Sequence, residues 1–256
     1  MKIAINGALG RMGRMVIEAA EAAGDVEACC LFERPGHPEA GKQVATPWGD
    51  LSLATDLDVF QDGADVGIDY SLPDGAVAFI EACARGGIPV VSGTTGLSEA
   101  HFERIRIAAE RGPVLWAANT SLGVFCLHEV SKAAARILGP SYDIEIVEAH
   151  HRHKRDAPSG TALSLAKALK SGQGNLVKSR DGETGPRNQG EIGIQSIRGG
   201  EIVGEHTVMF IGDDDRIEVT HRASSRRIFA RGAIELARAL IGRAPGLYTV
   251  ADLLGS

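Results

Sequence analysis

Residues 148–161 read Glu-Ala-His-His-Arg-His-Lys-Arg-Asp-Ala-Pro-Ser-Gly-Thr, with a run of six basic or titratable side chains from His150 to Arg155. The run leads into Pro158, Ser159, Gly160 and Thr161, which read as the start of a helix. The first amides of a helix have no intrahelical acceptor, so cations beside them make a trap for a carboxylate. Imidazoles titrate near neutrality and can hand over protons to whatever the trap holds. Three other chemistries compete for the same residues. A solvated basic loop is the usual meaning of a charge run. A metal site on His150, His151 and His153 would be opposed by the charges of Arg152, Lys154 and Arg155. A nucleic-acid contact lacks interleaved aromatics and an overall basic chain.

A second pattern opens the chain. Gly7-Ala-Leu-Gly10-Arg-Met-Gly13 follows a strand-like run and leads into a helical pattern. Glycines in that place let the backbone turn sharply and bring its amides to a pyrophosphate at the helix start. Glu33 ends the next apolar run, 20 residues beyond Gly13, where a carboxylate can hold ribose hydroxyls. Arg34 beside it can meet a 2′-phosphate. Ser71-Leu-Pro73, Gly93-Thr94-Thr95 and Ala117-Ala118-Asn119 each follow the carboxyl end of a predicted strand. Each alone reads as turn chemistry, but such ends line one crevice in an open α/β sheet, and three together beside a dinucleotide loop favour a nicotinamide-side wall.

The elements that position these groups come in two styles. Up to residue 120, predicted strands at 2–6, 26–32, 65–70, 88–92 and 114–118 alternate with helices at 11–23, 76–85 and 98–111. Alternation at that length implies parallel pairing with right-handed crossovers. Beyond residue 120 come a helix at 122–138, a strand at 143–148 and a helix at 161–170. Closely spaced strand signals then follow at Ile192/Ile194, Ile202/Val203, 207–210 and Ile217/Val219, punctuated by Gly199, Gly200, Gly204 and Gly212. They read as an antiparallel meander. A last helix at 228–241 returns to the first domain. The fold expected is α/β: a Rossmann-type doubly wound parallel sheet with a second α+β domain carrying an open, mainly antiparallel sheet. The dinucleotide-binding domain is expected at 1–120 and 231–256, and a substrate-binding and oligomerisation domain at 121–230.

Composition narrows the function further. Of 256 residues 44% are hydrophobic, as in an ordinary globular chain, and 27 Lys and Arg against 33 Asp and Glu give a net charge of −6. Coating of nucleic acid or of an anionic membrane is therefore not expected, and any anion must be held by a local cluster. Cys29, Cys30, Cys83 and Cys126 form no CxxC pair, which fits a reducing compartment. With no long apolar stretch in the sequence, a soluble, cytoplasmic protein is expected.

The 148–161 string closely resembles the signature of the dihydrodipicolinate reductase (4-hydroxy-tetrahydrodipicolinate reductase) family. The resemblance extends over nearly the whole chain. It takes in 7–13, 93–95, 117–119, Ser179-Arg-Asp-Gly182, Gly190-Glu-Ile-Gly193, Arg198-Gly-Gly200, Gly204-Glu-His206 and His221-Arg-Ala-Ser-Ser-Arg226. It implies reduction of 4-hydroxy-tetrahydrodipicolinate to tetrahydrodipicolinate by NADH and/or NADPH, in the diaminopimelate route to lysine. It also implies that His150 is the acid/base histidine and Lys154 a second proton donor. His151, Ser159, Gly160 and Thr161 would bind the small dicarboxylate substrate. Gly7, Ala8, Leu9, Gly10, Arg11, Met12, Glu33, Arg34, Gly93, Thr94, Thr95, Ala117, Ala118, Asn119 and Thr120 would bind the cofactor. No metal, nucleic-acid or membrane partner is implied, and the assembly implied is a homotetramer whose second-domain sheets pair. Leu9 stands where many members have glycine, and a positive φ there would strain it. Thr120 replaces a common aromatic.

Overall fold

A computed structural model describes residues 1–57, 63–170 and 175–255. The chain divides into two compact units, one formed by Met1–Ser121 with the segment from Arg227 onward, the other by Leu122–Arg226. In chain order the first part contains β1 (Lys2–Asn6), α1 (Arg11–Ala23), β2 (Glu27–Phe32), β3 (Gln43–Thr46), β4 (Gly49–Ala54), β5 (Val66–Asp69), α2 (Pro73–Arg85), β6 (Val90–Ser92), α3 (Glu99–Ala109) and β7 (Pro113–Trp116). The second unit contains α4 (Leu122–Leu138), β8 (Asp143–His150), α5 (Gly160–Leu169), β9 (Leu176–Val177), β10 (Ile192–Arg198), β11 (Gly204–Ile211) and β12 (Arg216–Ala223). The chain then returns to the first unit with α6 (Arg227–Leu240), β13 (Gly246–Tyr248) and α7 (Val250–Leu254).

The first sheet runs β13-β7-β6-β5-β1-β2-β4-β3, parallel except for the β3–β4 pair. Its central strands are apolar along their length because helices cover both faces. Ile3, Ala4 and Ile5 of β1 and Val66 and Ile68 of β5 are fully buried. On one face Val77, Phe79, Ile80 and Cys83 of α2 join Ile105 and Ala108 of α3 against Ala4, Val90 and Val114. α6 packs against α1, β5 and β6, burying Ala230, Ala233, Ile234 and Ala237. Strand order reverses at β1, so the carboxyl ends of β1 and β5 flank the switch point where such sheets bind ligands. The β3–β4 hairpin was not expected from the sequence. Its strands are short, and β3 alternates exposed and half-buried residues, so it lacks an apolar run.

The second sheet runs β12-β11-β8-β10-β9. β11 is antiparallel to both β12 and β8, whereas β10 is parallel to β8 and β9. The expected uninterrupted meander is therefore split by β8. Ile202 and Val203 form no strand and lie in the turn that carries the chain from β10 past the end of β8 to β11. β8 takes the central place because it has apolar side chains to bury there: Ile144 and Ile146 pack with Val208 and Phe210 of β11 and Ile192 and Ile194 of β10. Leu127 of α4 and Leu165, Ala166 and Leu169 of α5 cover that face. β8 also runs two residues beyond the expected end, so His150 is its last residue rather than part of a loop.

Candidate functional site

The centre of the second unit's polar cluster is Glu148, fully buried on β8. Parallel register sets Arg198 opposite His150, and antiparallel register sets His206 opposite Glu148. Arg198 donates from Nη1 to Oε2 and from Nη2 to Oε1 of Glu148, both at 2.8 Å. The Ser159 amide donates to Oε1 at 3.1 Å, and Nδ1 of His150 lies 2.6 Å from Oε2. Burial alone would push the Glu148 carboxyl up. The Arg198 fork, helped by Ser196 and His150, overcomes it and holds the group at about 2. His150 is likewise held below its ordinary value: burial lowers its proton affinity, Glu148 partly restores it, and Lys154 and Arg198 lower it again.

His206 meets His150 edge to face with ring centroids 5.2 Å apart, and its Nε2 lies 3.0 Å from Ser159 Oγ. Burial, with His150 beside it, brings His206 down to about 4, so it is neutral near pH 7. Ser159 is also the N-cap of α5, accepting from the Ala162 amide at 3.2 Å. The predicted residues His150, Lys154 and Ser159 thus converge on one patch at the start of α5. Lys154 pairs with Asp156 at 3.0 Å, and Arg198 reaches the Asp156 carbonyl at 2.6 Å, which ties the basic loop down. Gly160 is exposed as the first residue of α5 and Thr161 is half-buried behind it. His151 turns to Arg226, Nε2 to Nη2 at 3.3 Å, while His153 is exposed beside Glu201. Among the described residues no cluster of His, Cys, Asp and Glu could hold a metal.

In the first unit the turn after β1 is built on Gly7, whose φ is +74°. A Cβ there would sit 2.5 Å from the Tyr70 carbonyl oxygen, so only glycine fits. The Gly7 and Ala8 amides bond the Phe32 carbonyl, at 3.0 and 3.2 Å. Gly10 caps α1 with no side-chain bond, which leaves the amides of Arg11 and Met12 at the helix start without a side-chain acceptor. Leu9 has no positive φ, so the strain considered for it is absent. Its amide donates to Glu33 Oε1 at 3.0 Å. Gly7, Leu9, Gly10, Glu33 and Arg34 line one cleft of about 730 Å³ together with Tyr70, Ser71 and His37. Ala8 is fully buried beneath it. A backbone cradle that a side chain would fill, open on a cleft of this size, fits a dinucleotide.

Of the two segments expected to form a wall, 93–95 is tied down by a residue the sequence did not single out. Asp69 ends β5, fully buried, and accepts from Asn6 Nδ2 (2.8 Å), Ser71 Oγ (2.6 Å), Ser92 Oγ (2.6 Å) and Thr94 Oγ1 (2.7 Å). Burial pushes its carboxyl up even so. Thr94 is thus buried with its hydroxyl committed to Asp69, whereas Thr95 and Ala118 are exposed. Gly93 and Asn119 are half-buried, Ala117 is buried, and Asn119 accepts from the Ser121 amide at 2.9 Å. Thr120 is buried, its hydroxyl 2.6 Å from Tyr70 OH and donating to the Phe229 carbonyl at 2.8 Å. Its hydroxyl therefore serves packing within the unit. Glu148, Arg198, His206 and Asp69 were all unassigned by sequence reasoning. For Glu148 and Asp69 the available signal was a charged residue placed among apolar neighbours on a predicted strand; Arg198 and His206 lay outside the predicted strands.

A doubly wound sheet whose first turn is shaped for a pyrophosphate, in one chain with a sheet carrying a buried cluster of imidazole and carboxylate groups, is the organisation of a nicotinamide-dependent oxidoreductase. Residues 1–120 match the family described as dihydrodipicolinate reductase, N-terminus, and residues 123–254 that described as dihydrodipicolinate reductase, C-terminus. The chain belongs to the dihydrodipicolinate reductase family. It is 46% identical over 263 residues to the 4-hydroxy-tetrahydrodipicolinate reductase of Thiobacillus denitrificans, covering 100% of this chain and 98% of that protein. The enzyme of the same name from Alkalilimnicola ehrlichii is 45% identical, with 99% and 98% covered. Among solved structures, the dipicolinate-bound dihydrodipicolinate reductase from Paenisporosarcina sp. TG-14 has a TM-score of 0.78 at 22% identity, with 99% of each chain covered. The C. glutamicum DAP dehydrogenase in complex with DAP has a TM-score of 0.61 at 18% identity, covering 99% of this chain and 93% of that one. At those identities the two structures speak to the fold alone.

Proposed function

We propose that the chain reduces 4-hydroxy-tetrahydrodipicolinate to tetrahydrodipicolinate with NADH or NADPH, in the diaminopimelate route to lysine. The observation that carries this reading is the convergence of His150, Lys154 and the start of α5 on the Glu148–Arg198 pair. A reduced nicotinamide, held by the first unit at Gly7–Met12, Glu33 and Arg34 with 93–95 and 117–120 as its wall, supplies the hydride. In the second unit the amides of Gly160 and Thr161 and the Ser159 hydroxyl hold one substrate carboxylate, and His151 and Lys154 face the other. As electron density builds on the ring, Lys154 stabilises it and His150 gives the proton that completes the reduction. Loss of the substrate hydroxyl as water balances the step. A dianionic substrate raises the proton affinity of His150, which offsets its depressed starting point.

Glu33 accepts from ribose hydroxyls but repels a 2′-phosphate, and exposed Arg34 attracts it, so both cofactors are used. The assembly proposed is a homotetramer joined through the second-unit sheets. Neither nucleic acid nor a membrane is a partner in this reading, and no helix among the described residues is long and apolar enough to cross one. The unpaired Cys29, Cys30, Cys83 and Cys126 support a cytoplasmic site of action.

The purified chain, mixed with aspartate semialdehyde, pyruvate and their condensing synthase, should consume the nicotinamide absorbance of NADH and NADPH only when every component is present. Persistence of the reduced cofactor while the synthase product accumulates would overturn the reading. Light scattering should report about four chains per particle, as the family resemblance implies, since an open sheet edge or face invites pairing. A strict monomer at micromolar concentration would remove the assembly and leave the chemistry standing.

A further inference from the structure

Glu148 neighbours the proposed proton donor, and its bonding determines what that donor can do. Arg198 occupies both of its oxygens at 2.8 Å and the Ser159 amide reaches Oε1 at 3.1 Å. These donors hold Glu148 ionised, and an ionised carboxylate accepts hydrogen bonds without donating any. Nδ1 of His150, 2.6 Å from Oε2, therefore carries a hydrogen whether the ring is neutral or charged. Nε2 is then the only atom of the ring whose protonation changes. It stands over Gly204, where an added Cβ would crowd it at 3.1 Å.

We infer that Glu148 is a positioning residue: it locks His150 in the Nδ1–H tautomer, assigns proton exchange to Nε2, and through the Ser159 amide fixes that nitrogen relative to the carboxylate-holding start of α5. The inference rests on the reading of His150 as proton donor. The groups facing His150 are Glu148 on its own strand, Lys154 from the loop after it, Arg198 from β10 and His206 from β11, with His221 of β12 acting on His206. Of these only Glu148 favours the charged ring. Without its charge the ring gives up its proton at lower pH and is free to swap tautomers.

Two measurements on the full chain test this. In protein labelled with ¹⁵N-histidine, long-range proton–nitrogen correlation, with His150 assigned through His150→Gln, should show the neutral ring protonated at Nδ1 and bare at Nε2. In Glu148→Gln, kcat should fall about 10²-fold, the low end for a positioned acid–base group, with the KM for either cofactor unchanged. The alkaline limb of its kcat profile should move to lower pH. A merely structural role would lower Tm and leave that limb in place. A neutral His150 protonated at Nε2, or a folded Glu148→Gln with the wild-type limb, overturns the inference while sparing the proton-donor reading. Wild-type turnover in His150→Gln overturns both. Should Glu148→Gln fail to fold, the tautomer in the wild-type chain decides alone.

Discussion

Asp69 in the first unit and Glu148 in the second are both fully buried carboxylates near the carboxyl end of a central strand. Asp69 is surrounded by the hydroxyls of Ser71, Ser92 and Thr94 and the amide of Asn6, none of which carries charge. Glu148 is gripped by a guanidinium and an imidazole. Neutral donors satisfy geometry but leave the desolvation of the charge largely unopposed, so Asp69 is pushed up, whereas Arg198, Ser196 and His150 together more than cancel burial at Glu148. The first arrangement pins the ends of β1, β5 and β6 into a rigid wall. The second connects a buried charge to an imidazole, a side chain able to exchange protons near neutrality. Burial by itself therefore does not mark a reactive carboxylate; the chemistry of its partners does.

The most severe break in this contrast is on the Glu148 side. His150→Gln should lower kcat ~10²–10⁴-fold, the range for a general acid, while the Kd for NADH measured by fluorescence stays near wild type. Wild-type turnover would remove His150 from the proton step.

Asp69→Asn should act on the scaffold instead. Loss of charge-assisted bonds should cost about 3 kcal/mol in urea unfolding, with no shift of the kcat–pH limbs. A shifted limb would mean that Asp69, too, is linked to protonation.

Acid should separate the two carboxylates by sign. Glu148 is held below its ordinary value near 4.5, at about 2, so its contribution is present above the ordinary value and fades as pH falls through the folded one. That contribution is about 3 kcal/mol. Asp69 is raised, so its term runs the other way, favouring the fold on the acid side and lost as pH rises through its folded value. Unfolding free energies between pH ~5 and ~2 should fall less steeply in Glu148→Gln than in wild type, and more steeply in Asp69→Asn. Parallel slopes in all three proteins would contradict the opposite signs.

The smallest expected effect concerns an exposed charge, which sharpens the contrast with the buried ones. Arg34→Ala should raise KM for NADPH by about one to two powers of ten and for NADH by less. Added salt should narrow the difference, because only NADPH carries the extra phosphate. Equal losses for the two cofactors would show that Arg34 does not read the 2′ position.

β1 and α4 were legible to the residue because their apolar spacing is uninterrupted. The β3–β4 hairpin was illegible for the opposite reason, having little buried surface to leave a pattern. The Ile202/Val203 signal misled because two adjacent apolar residues between glycines fit a turn as well as a strand. His150, Lys154 and Ser159 stood out as a dense local string. Glu148 and Asp69 did not, since a lone acid on a strand reads like a solvent-facing residue until its partners are known. Some of those partners lie far along the chain: Arg198 is 50 residues from Glu148, and Thr94 is 25 from Asp69.

The insertion of β8 between two later strands also sets a timetable for assembly. The β11–β12 hairpin closes over a four-residue turn at 212–215 and can form from neighbouring residues alone. β8 must wait for strands synthesised well after it, and the long loop between Glu148 and Arg198 has to close before their contact stabilises anything. A chain emerging from the ribosome thus carries the whole 148–161 string before it carries the arrangement that gives the string its chemistry. Competence arrives only with pairings between strands far apart in the chain.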